Sequence, residues 1–165
     1  MSMDADARKP FLERYRTGPI LLRQAWGKVP QEARAWRPGE GKWSAHEVVV
    51  HCADSETYAA IRIRLLLAEA EPLAEPLIVG YDENVWAKRF DYQAADPELA
   101  LHLVETVRAH TAAMLALLPD EAWGRMGRHT QSGPYGTDDW LRSYGVHLEV
   151  HAAQILRNLM AWQAR

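Results

Sequence analysis

In two long stretches of the chain, aliphatic, aromatic and polar residues that include three histidines recur at alternating spacings of three and four. The two series are Val48, His51, Ser55, Tyr58, Arg62 and Leu65, and Trp140, Tyr144, His147, His151, Gln154 and Asn158. Residues at this spacing lie on one face of an α-helix, and such a face packs against neighbouring helices. The pattern predicts two long helices of a bundle with histidines on their inward faces.

Capping residues and prolines predict where the helices begin and end. Ser44 and Glu47 have the spacing of a capping box, in which each side chain accepts a hydrogen bond from a backbone amide at the helix start. Asp96 followed by Pro97 is a second start signal, and Thr17 ahead of a proline predicts a restart after helical residues 11–16. Long helices are therefore expected at about 17–28, 44–71, 97–118 and 137–162, with short ones at about 84–90 and 120–123.

The remaining segments contain no convincing strand. Residues 77–79 are apolar but too few, and the glycine-rich segment 124–136, which contains His129, is predicted to be a loop. Four helices with a long second-to-third connection are typical of a four-helix bundle, so the predicted fold class is all-α. With 165 residues, 48% of them hydrophobic, residues 1–165 are expected to form a single domain.

Composition narrows the classes of partner. The formal charge is −3, and the Lys and Arg residues are scattered, which argues against binding to nucleic acid. Cys52 is the one cysteine, so an internal disulfide is excluded. The first residues lack the apolar region of a signal peptide, and no segment approaches the roughly 20 apolar residues of a membrane span. We expect a cytoplasmic protein that acts on a small molecule.

The histidines on the two inward faces are candidate metal ligands. His147 and His151 are four residues apart, so their imidazoles lie on the same side of a helix, and His51 on the other helix can supply a third ligand. Three neutral imidazoles bind Zn²⁺, Ni²⁺, Cu²⁺ or Fe²⁺ and leave one coordination position open. The alternative is three separate core histidines, each with its own hydrogen-bond partner. Glu149 projects away from the pair, so this is not the His-Glu-x-x-His motif of zinc proteases.

Five motifs, in order along the chain, resemble the pattern of the DinB/YfiT-like superfamily over residues 11–159. They are Trp43-Ser44 with Glu47 and His51, Ala53-Asp54-Ser55-Glu56, Tyr81-Asp82-Glu83 with Trp86-Ala87, His129 with Gly133, and His147-x-x-x-His151 with Gln154-Ile155. The resemblance implies an up-down-down-up four-helix bundle, often a homodimer. It also implies a divalent ion, usually nickel or zinc, held by His51, His147 and His151. Relatives of this kind act as transferases or isomerases that depend on a low-molecular-weight thiol, bacillithiol or mycothiol, and many others have no known activity.

Other residues are candidates for roles near the three histidines. Glu47, one turn before the first of them, is a candidate base, although capping already accounts for it. Asp54 is placed either to orient an imidazole or to lie on a solvated face. His129 either reaches the open coordination position from its loop or stays exposed. Trp86 and Tyr144 are candidates for the wall of a substrate pocket.

Two functions of different kinds follow. The first is a metal-dependent enzyme, in which the cation lowers the pKa of a bound water or thiol that then attacks a small electrophile, by thiol transfer or by hydrolysis. The second is a non-catalytic metal-binding or stress-response bundle, whose ion serves stability alone. An open coordination position distinguishes the two, because structural metal sites are closed by a fourth protein ligand.

Overall fold

The computed structural model describes residues 3–68 and 75–165, and most of these residues are helical. In chain order, the helices are α1 (Ala5–Gly27), α2 (Gln31–Arg34), α3 (Ala45–Ala68), α4 (Glu83–Arg89), α5 (Pro97–Leu115) and α6 (Thr137–Gln163), with a 3-10 turn at Asp120–Gly124. The strands are β1 (Leu77–Ile78), β2 (Met126–His129) and β3 (Gly133–Gly136). Among the described residues, no helix combines the length and apolarity needed to cross a bilayer.

The long helices α1, α3, α5 and α6 form a four-helix bundle, as predicted. Six hydrogen-bonded contacts define the helix directions. α1 meets α6 at Arg8–Asp138 and Arg14–Glu149, and it meets α5 at Trp26–Glu98 and Tyr15–Arg108. α6 meets α3 at Trp140–Ala59, and its Asn158 contacts Trp43 just before the start of α3. α1 is thus parallel to α6, and both are antiparallel to α3 and α5. This is the up-down-down-up order. Because α3 and α5 run the same way, the chain between them must return along the bundle, which explains the long connection.

A polar layer divides the apolar interior into two clusters. One cluster contains the buried ring of Trp26, and the other contains that of Trp140. Between them along α3, α5 and α6 lie Glu56, Arg108 and His147, of which the first two are almost completely buried. Because water does not reach Glu56 and Arg108, these two groups must bond to polar partners within the protein.

α1 is continuous, so the predicted restart at Thr17 is wrong. The Thr17 hydroxyl donates to the carbonyl of Glu13 within the same helix instead of starting a new one. Pro19 has no N–H and therefore cannot donate to the Tyr15 carbonyl, four residues earlier. The guanidinium of Arg108 donates to that carbonyl at 2.7 Å. A contact from another helix thus replaces the missing backbone donor, and the helix passes through the proline.

The segment predicted to be a glycine-rich loop contains a β-hairpin. β2 pairs antiparallel with β3 and parallel with β1, which forms a three-stranded sheet. A Cβ atom at Gly127 would lie 2.6 Å from the Pro76 carbonyl oxygen, so the strands can approach only because this residue is glycine. Gly133 turns the chain with a φ of +78°. The glycines that indicated a loop are therefore requirements of strand pairing, and the hairpin holds His129 beside the bundle.

The predicted helix starts at Ser44 and Asp96 are confirmed by their hydrogen bonds. Ser44 N donates to Glu47 Oε2 at 2.8 Å, and Glu47 N donates to Ser44 Oγ at 3.2 Å, which is the capping box. The Asp96 carboxylate accepts hydrogen bonds from two backbone amides of the first turn of α5. The predicted end of the second long helix, near residue 71, lies outside the described residues.

Candidate metal centre

The antiparallel packing of α3 against α6 brings His51, His147 and His151 together. One nitrogen of each ring lies within 4.8 Å of the corresponding nitrogens of the other two. His51 is buried, and the two histidines of α6 are partly buried. The structure therefore joins the three residues that the spacing singled out.

The buried position of the cluster favours uncharged imidazoles. Burial, and then the proximity of the other two histidines, lowers the pKa of His51 to about 2. Burial, and then His147, lowers the pKa of His151 to about 4. At neutral pH these two rings are neutral and each offers a lone pair, which is the form that binds metal.

Hydrogen bonds orient the two rings of α6. His147 Nδ1 lies 2.7 Å from Glu56 Oε1, and His151 Nδ1 lies 2.9 Å from Gln154 Oε1. Both oxygens are acceptors, so each Nδ1 carries the proton and each Nε2 is left with its lone pair. A partner at the far nitrogen is the usual arrangement for a histidine ligand, since it fixes both tautomer and ring orientation.

The Nε2 atoms of His147 and His151 lie 3.1 Å apart. At this distance the lone pairs of two unprotonated nitrogens repel each other unless a cation or a proton lies between them. Two nitrogens that bind one zinc ion at about 2.0–2.1 Å, with angles of about 90–110°, are about 2.9–3.4 Å apart. The spacing of the His147 and His151 nitrogens therefore fits a shared divalent ion. Ser55 Oγ also lies 3.4 Å from His147 Nε2, so a hydroxyl borders the same space.

His51 also needs a partner. Its Nδ1 is buried, and no described residue forms a hydrogen bond with it. The ring packs against Trp43, with 4.7 Å between ring centroids. A buried imidazole nitrogen without a partner costs free energy, and packing has to offset that cost. The donor set and the 3.1 Å spacing of the His147 and His151 nitrogens fit a three-histidine metal site.

Glu56 and Arg108 support the site, a role that was not predicted from the sequence. Arg108 donates to both carboxylate oxygens of Glu56, at 2.7 and 2.6 Å, and to the backbone carbonyls of Tyr15 and Tyr144, both at 2.7 Å. Burial alone would raise the pKa of Glu56, but the charge of Arg108 and the hydrogen bond from His147 hold it below its usual value. Glu56 therefore remains an acceptor for His147. The signal in the sequence was an arginine at an inward position of an otherwise apolar helix face.

The two other candidate acids are engaged elsewhere. The Glu47 carboxylate accepts from Ser44 N and from the Arg37 guanidinium. Asp54 Oδ2 accepts a hydrogen bond from the Tyr92 hydroxyl at 2.5 Å. The carboxylate that contacts a histidine of the cluster is instead that of Glu56, two residues after Asp54.

A cavity of about 320 Å³ opens beside the histidines, between α3, α6 and the hairpin. His51 and His147 form part of its wall, together with Tyr144 and His129. Burial, and then the charge of Arg62, lowers the pKa of His129. The candidate pocket residue Tyr144 is thus at the cavity wall, and His129 reaches it from β2.

Trp86, the other pocket candidate, is not part of that wall. Its ring packs against Tyr81, with 4.2 Å between centroids, and Tyr81 lines the cavity. Trp86 therefore supports the wall from behind. The sequence pattern identified Tyr81 as part of a motif without assigning it to the pocket.

The chain resembles known proteins in both sequence and structure. The sequence profile of the DinB superfamily matches residues 14–155. The chain belongs to the DinB superfamily. One relative, "Putative metal-dependent hydrolase YfiT" of Bacillus subtilis, is 32% identical over 164 residues, which cover 98% of this chain and 90% of YfiT. Another, "Putative metal-dependent hydrolase OB0782" of Oceanobacillus iheyensis, is 31% identical over 115 residues, which cover 70% of this chain but only 64% of that protein.

Solved structures share the DinB fold. The structure of Bacillus subtilis YfiT, described as "a probable metal-dependent hydrolase with an unusual four-helix bundle topology", matches with a TM-score of 0.86 and 25% identity, covering 98% of this chain and 91% of YfiT. The mycothiol-dependent maleylpyruvate isomerase matches with a TM-score of 0.65 and 17% identity, covering 90% of this chain and 60% of the isomerase. The second likeness shows a common fold.

Proposed function

We propose that the protein is a metal-dependent enzyme in which His51, His147 and His151 hold one divalent cation, zinc or nickel, beside a substrate cavity. The observation that carries the proposal is the 3.1 Å approach of the His147 and His151 Nε2 atoms, whose Nδ1 atoms both face acceptors. Membership of the DinB superfamily and the metal-dependent hydrolases among its relatives support it.

Three uncharged ligands suit catalysis. Bound by neutral imidazoles alone, a divalent ion retains its full charge, acts as a Lewis acid and lowers the pKa of a coordinated water or thiol. The cavity next to His51 and His147 provides room for a small molecule beside this position. We infer that water is the nucleophile and that the reaction is a hydrolysis, in line with the names of the relatives.

The hairpin contributes a hydrogen-bond donor to the reaction. His129 Nδ1 accepts from the backbone amides of Gln131 and Ser132, at 3.3 and 3.4 Å. In the neutral ring the proton is therefore on Nε2, and the lowered pKa of His129 favours that neutral form. We assign His129 the role of donating to a substrate oxygen on which negative charge develops.

Two alternatives concern the same site. A low-molecular-weight thiol in place of water would make the protein a transferase or isomerase, which requires no other change in the ligand set. A non-catalytic metal-binding bundle would need no cavity beside the ligands, so the 320 Å³ space favours catalysis.

Elemental analysis of protein purified without a metal-affinity column tests the proposal. The wild type should carry one divalent ion per chain, and His151→Ala should weaken its binding by a factor of about 100 or more while keeping the helical circular dichroism. His110→Ala, which alters an exposed histidine of α5, is the matched control and should keep the ion.

The outcome also separates the alternatives. Stoichiometric metal in His151→Ala would refute the three-histidine centre. Unfolding of the wild type when the metal is removed would favour the structural function. A screen of esters and amides, with and without added thiols, then distinguishes hydrolysis from thiol transfer.

A further inference from the structure

The cavity beside the histidines contains a buried positive charge that no described carboxylate neutralises. Arg62 is 9% exposed and lines the cavity. Two other arginines are also buried, and each is paired with an acid: Arg8 with Asp138, and Arg108 with Glu56. Within residues 3–68 and 75–165, Arg62 forms no such ion pair. A buried cation without a counter-ion is costly, so an unpaired one requires an explanation.

The guanidinium of Arg62 is held in place by uncharged groups. It donates from Nη1 to the Tyr144 hydroxyl at 3.1 Å and from Nη2 to the Val79 carbonyl at 2.7 Å. It also lies over the Tyr58 ring, 4.5 Å from the centroid. Its Nε is buried, and no described residue accepts from it. Two hydrogen bonds and one aromatic ring therefore hold the guanidinium in place, and its Nε–H has no acceptor among the described residues.

The rest of the cavity wall does not supply the missing negative charge. Burial raises the pKa of Tyr81 to about 12 and raises that of Tyr135, so both phenols stay protonated and offer hydrogen bonds rather than charge. Of the described residues that line the cavity, Glu83 carries a carboxylate, but it is exposed and forms no ion pair with Arg62. Burial, and then the charge of Arg62, lowers the pKa of His129, which also lines the cavity.

Arg62 lies at a distance from the histidine centre that a small molecule can span. Ser55, whose hydroxyl is 3.4 Å from His147 Nε2, precedes Arg62 by seven residues on α3. At 1.5 Å per residue this is about 10 Å along the helix. Both residues border the same cavity. A ligand that fills the cavity can therefore contact both ends.

We propose that Arg62 binds the acidic group, a carboxylate or a phosphate, of an elongated substrate whose other end reacts at the histidine centre. The inference rests on the proposed function, and it specifies the substrate class. Arginine suits the task, because its planar donors match the oxygens of either acid. The buried charge of Arg62 then gains its counter-ion only when the correct substrate is bound.

Binding of hydroxamic acids to the zinc-loaded protein tests the assignment without relying on turnover. The hydroxamate group coordinates the metal, and a homologous series of chain lengths carries a carboxylate, a phosphonate or the uncharged methyl ester of the carboxylate at the far end. Isothermal titration calorimetry should show that the wild type prefers an acid over its ester by about tenfold or more. A preference for carboxylate or for phosphonate tells which acid the site takes.

Arg62→Gln should remove that preference and leave the affinity for the ester unchanged within about threefold. Arg64→Gln, the matched control, changes the charge equally on the same helix, where the side chain donates to Ala60 O and Thr111. It should keep the preference. Arg62→Lys retains the charge without the planar donors and should keep a smaller preference. This variant provides the test if the glutamine variant fails to fold.

Two results separate failure of this inference from failure of the proposed function. If the esters bind but neither acid is preferred at any chain length, or if Arg62→Gln keeps the preference, the assignment of Arg62 is wrong and the metal centre stands. If the protein takes up no zinc and binds no hydroxamate, the proposed function itself is refuted.

Discussion

Replacement of Arg108 by methionine should remove most of the stability of the protein. Arg108 is 1% exposed and connects α5 to three other helices by donating to Glu56 and to the carbonyls of Tyr15 and Tyr144. Methionine fills a similar length of side chain but offers no donor. The Glu56 carboxylate, completely buried, would retain His147 as its donor and lose its counter-ion.

The structure allows the size of the effect to be worked out. Removing one partner of a buried ion pair costs about 3–5 kcal/mol, because the other charge is left without compensation. Each of the two backbone carbonyls left without a donor adds about 1 kcal/mol or more. The sum, about 5–7 kcal/mol, is comparable with the whole stability of a typical domain, about 5–15 kcal/mol.

Urea denaturation followed by far-ultraviolet circular dichroism, with a chelator at pH 7.5, measures this effect. The set consists of the wild type, Arg108→Met, Glu56→Leu and the double variant. The double variant should lose at least about 2 kcal/mol less than the sum of the single losses, because the second substitution removes the charge that the first left unpaired. An Arg108→Met protein within about 1 kcal/mol of the wild type, or strictly additive losses, would refute the reasoning.

Two further predictions concern the ligand orientation and the hairpin. Gln154→Leu removes the acceptor for His151 Nδ1, so the zinc affinity measured by chelator competition should fall by a factor of about 10–100 with the fold intact. An unchanged affinity would show that Gln154 does not orient the ring. Gly127→Ala places a Cβ atom 2.6 Å from the Pro76 carbonyl oxygen and should lower the melting temperature by several degrees. The control Gly27→Ala, with no atom within 4 Å of the new Cβ, should not lower it. Equal melting temperatures of the two variants would contradict the close approach of the strands.

The histidine cluster could be predicted because it depends mainly on helix geometry. The four-residue spacing of His147 and His151 already places both rings on one side of α6. The alternating spacing around His51 places that ring on the inward face of α3. With only a few long helices to pack, two inward faces that both carry histidines can meet in few ways. Their antiparallel contact brings one nitrogen of each ring within 4.8 Å of the other two.

The partners that support the cluster could not be predicted in the same way. Glu56 and Arg108 are 52 residues apart, on helices whose register along each other is set by packing. Pro19 lacks an N–H, so the Tyr15 carbonyl has no backbone donor four residues on, and Arg108 supplies one only when α5 lies against α1. From the sequence, orienting an imidazole was therefore one of two alternatives for Asp54, and in the structure Glu56 occupies that role.

The sequence by itself determined the features that arise within one or two turns of a helix: the capping box at Ser44, the start of α5 at Asp96, and the faces that carry the histidines. These depend on contacts between near neighbours, which hold wherever the helix packs. Only the tertiary structure decided the continuity of α1, the pairing of β1 with β2 and the buried charges of Glu56 and Arg62. Those features depend on which distant groups meet where water is excluded, and residue spacing does not specify that.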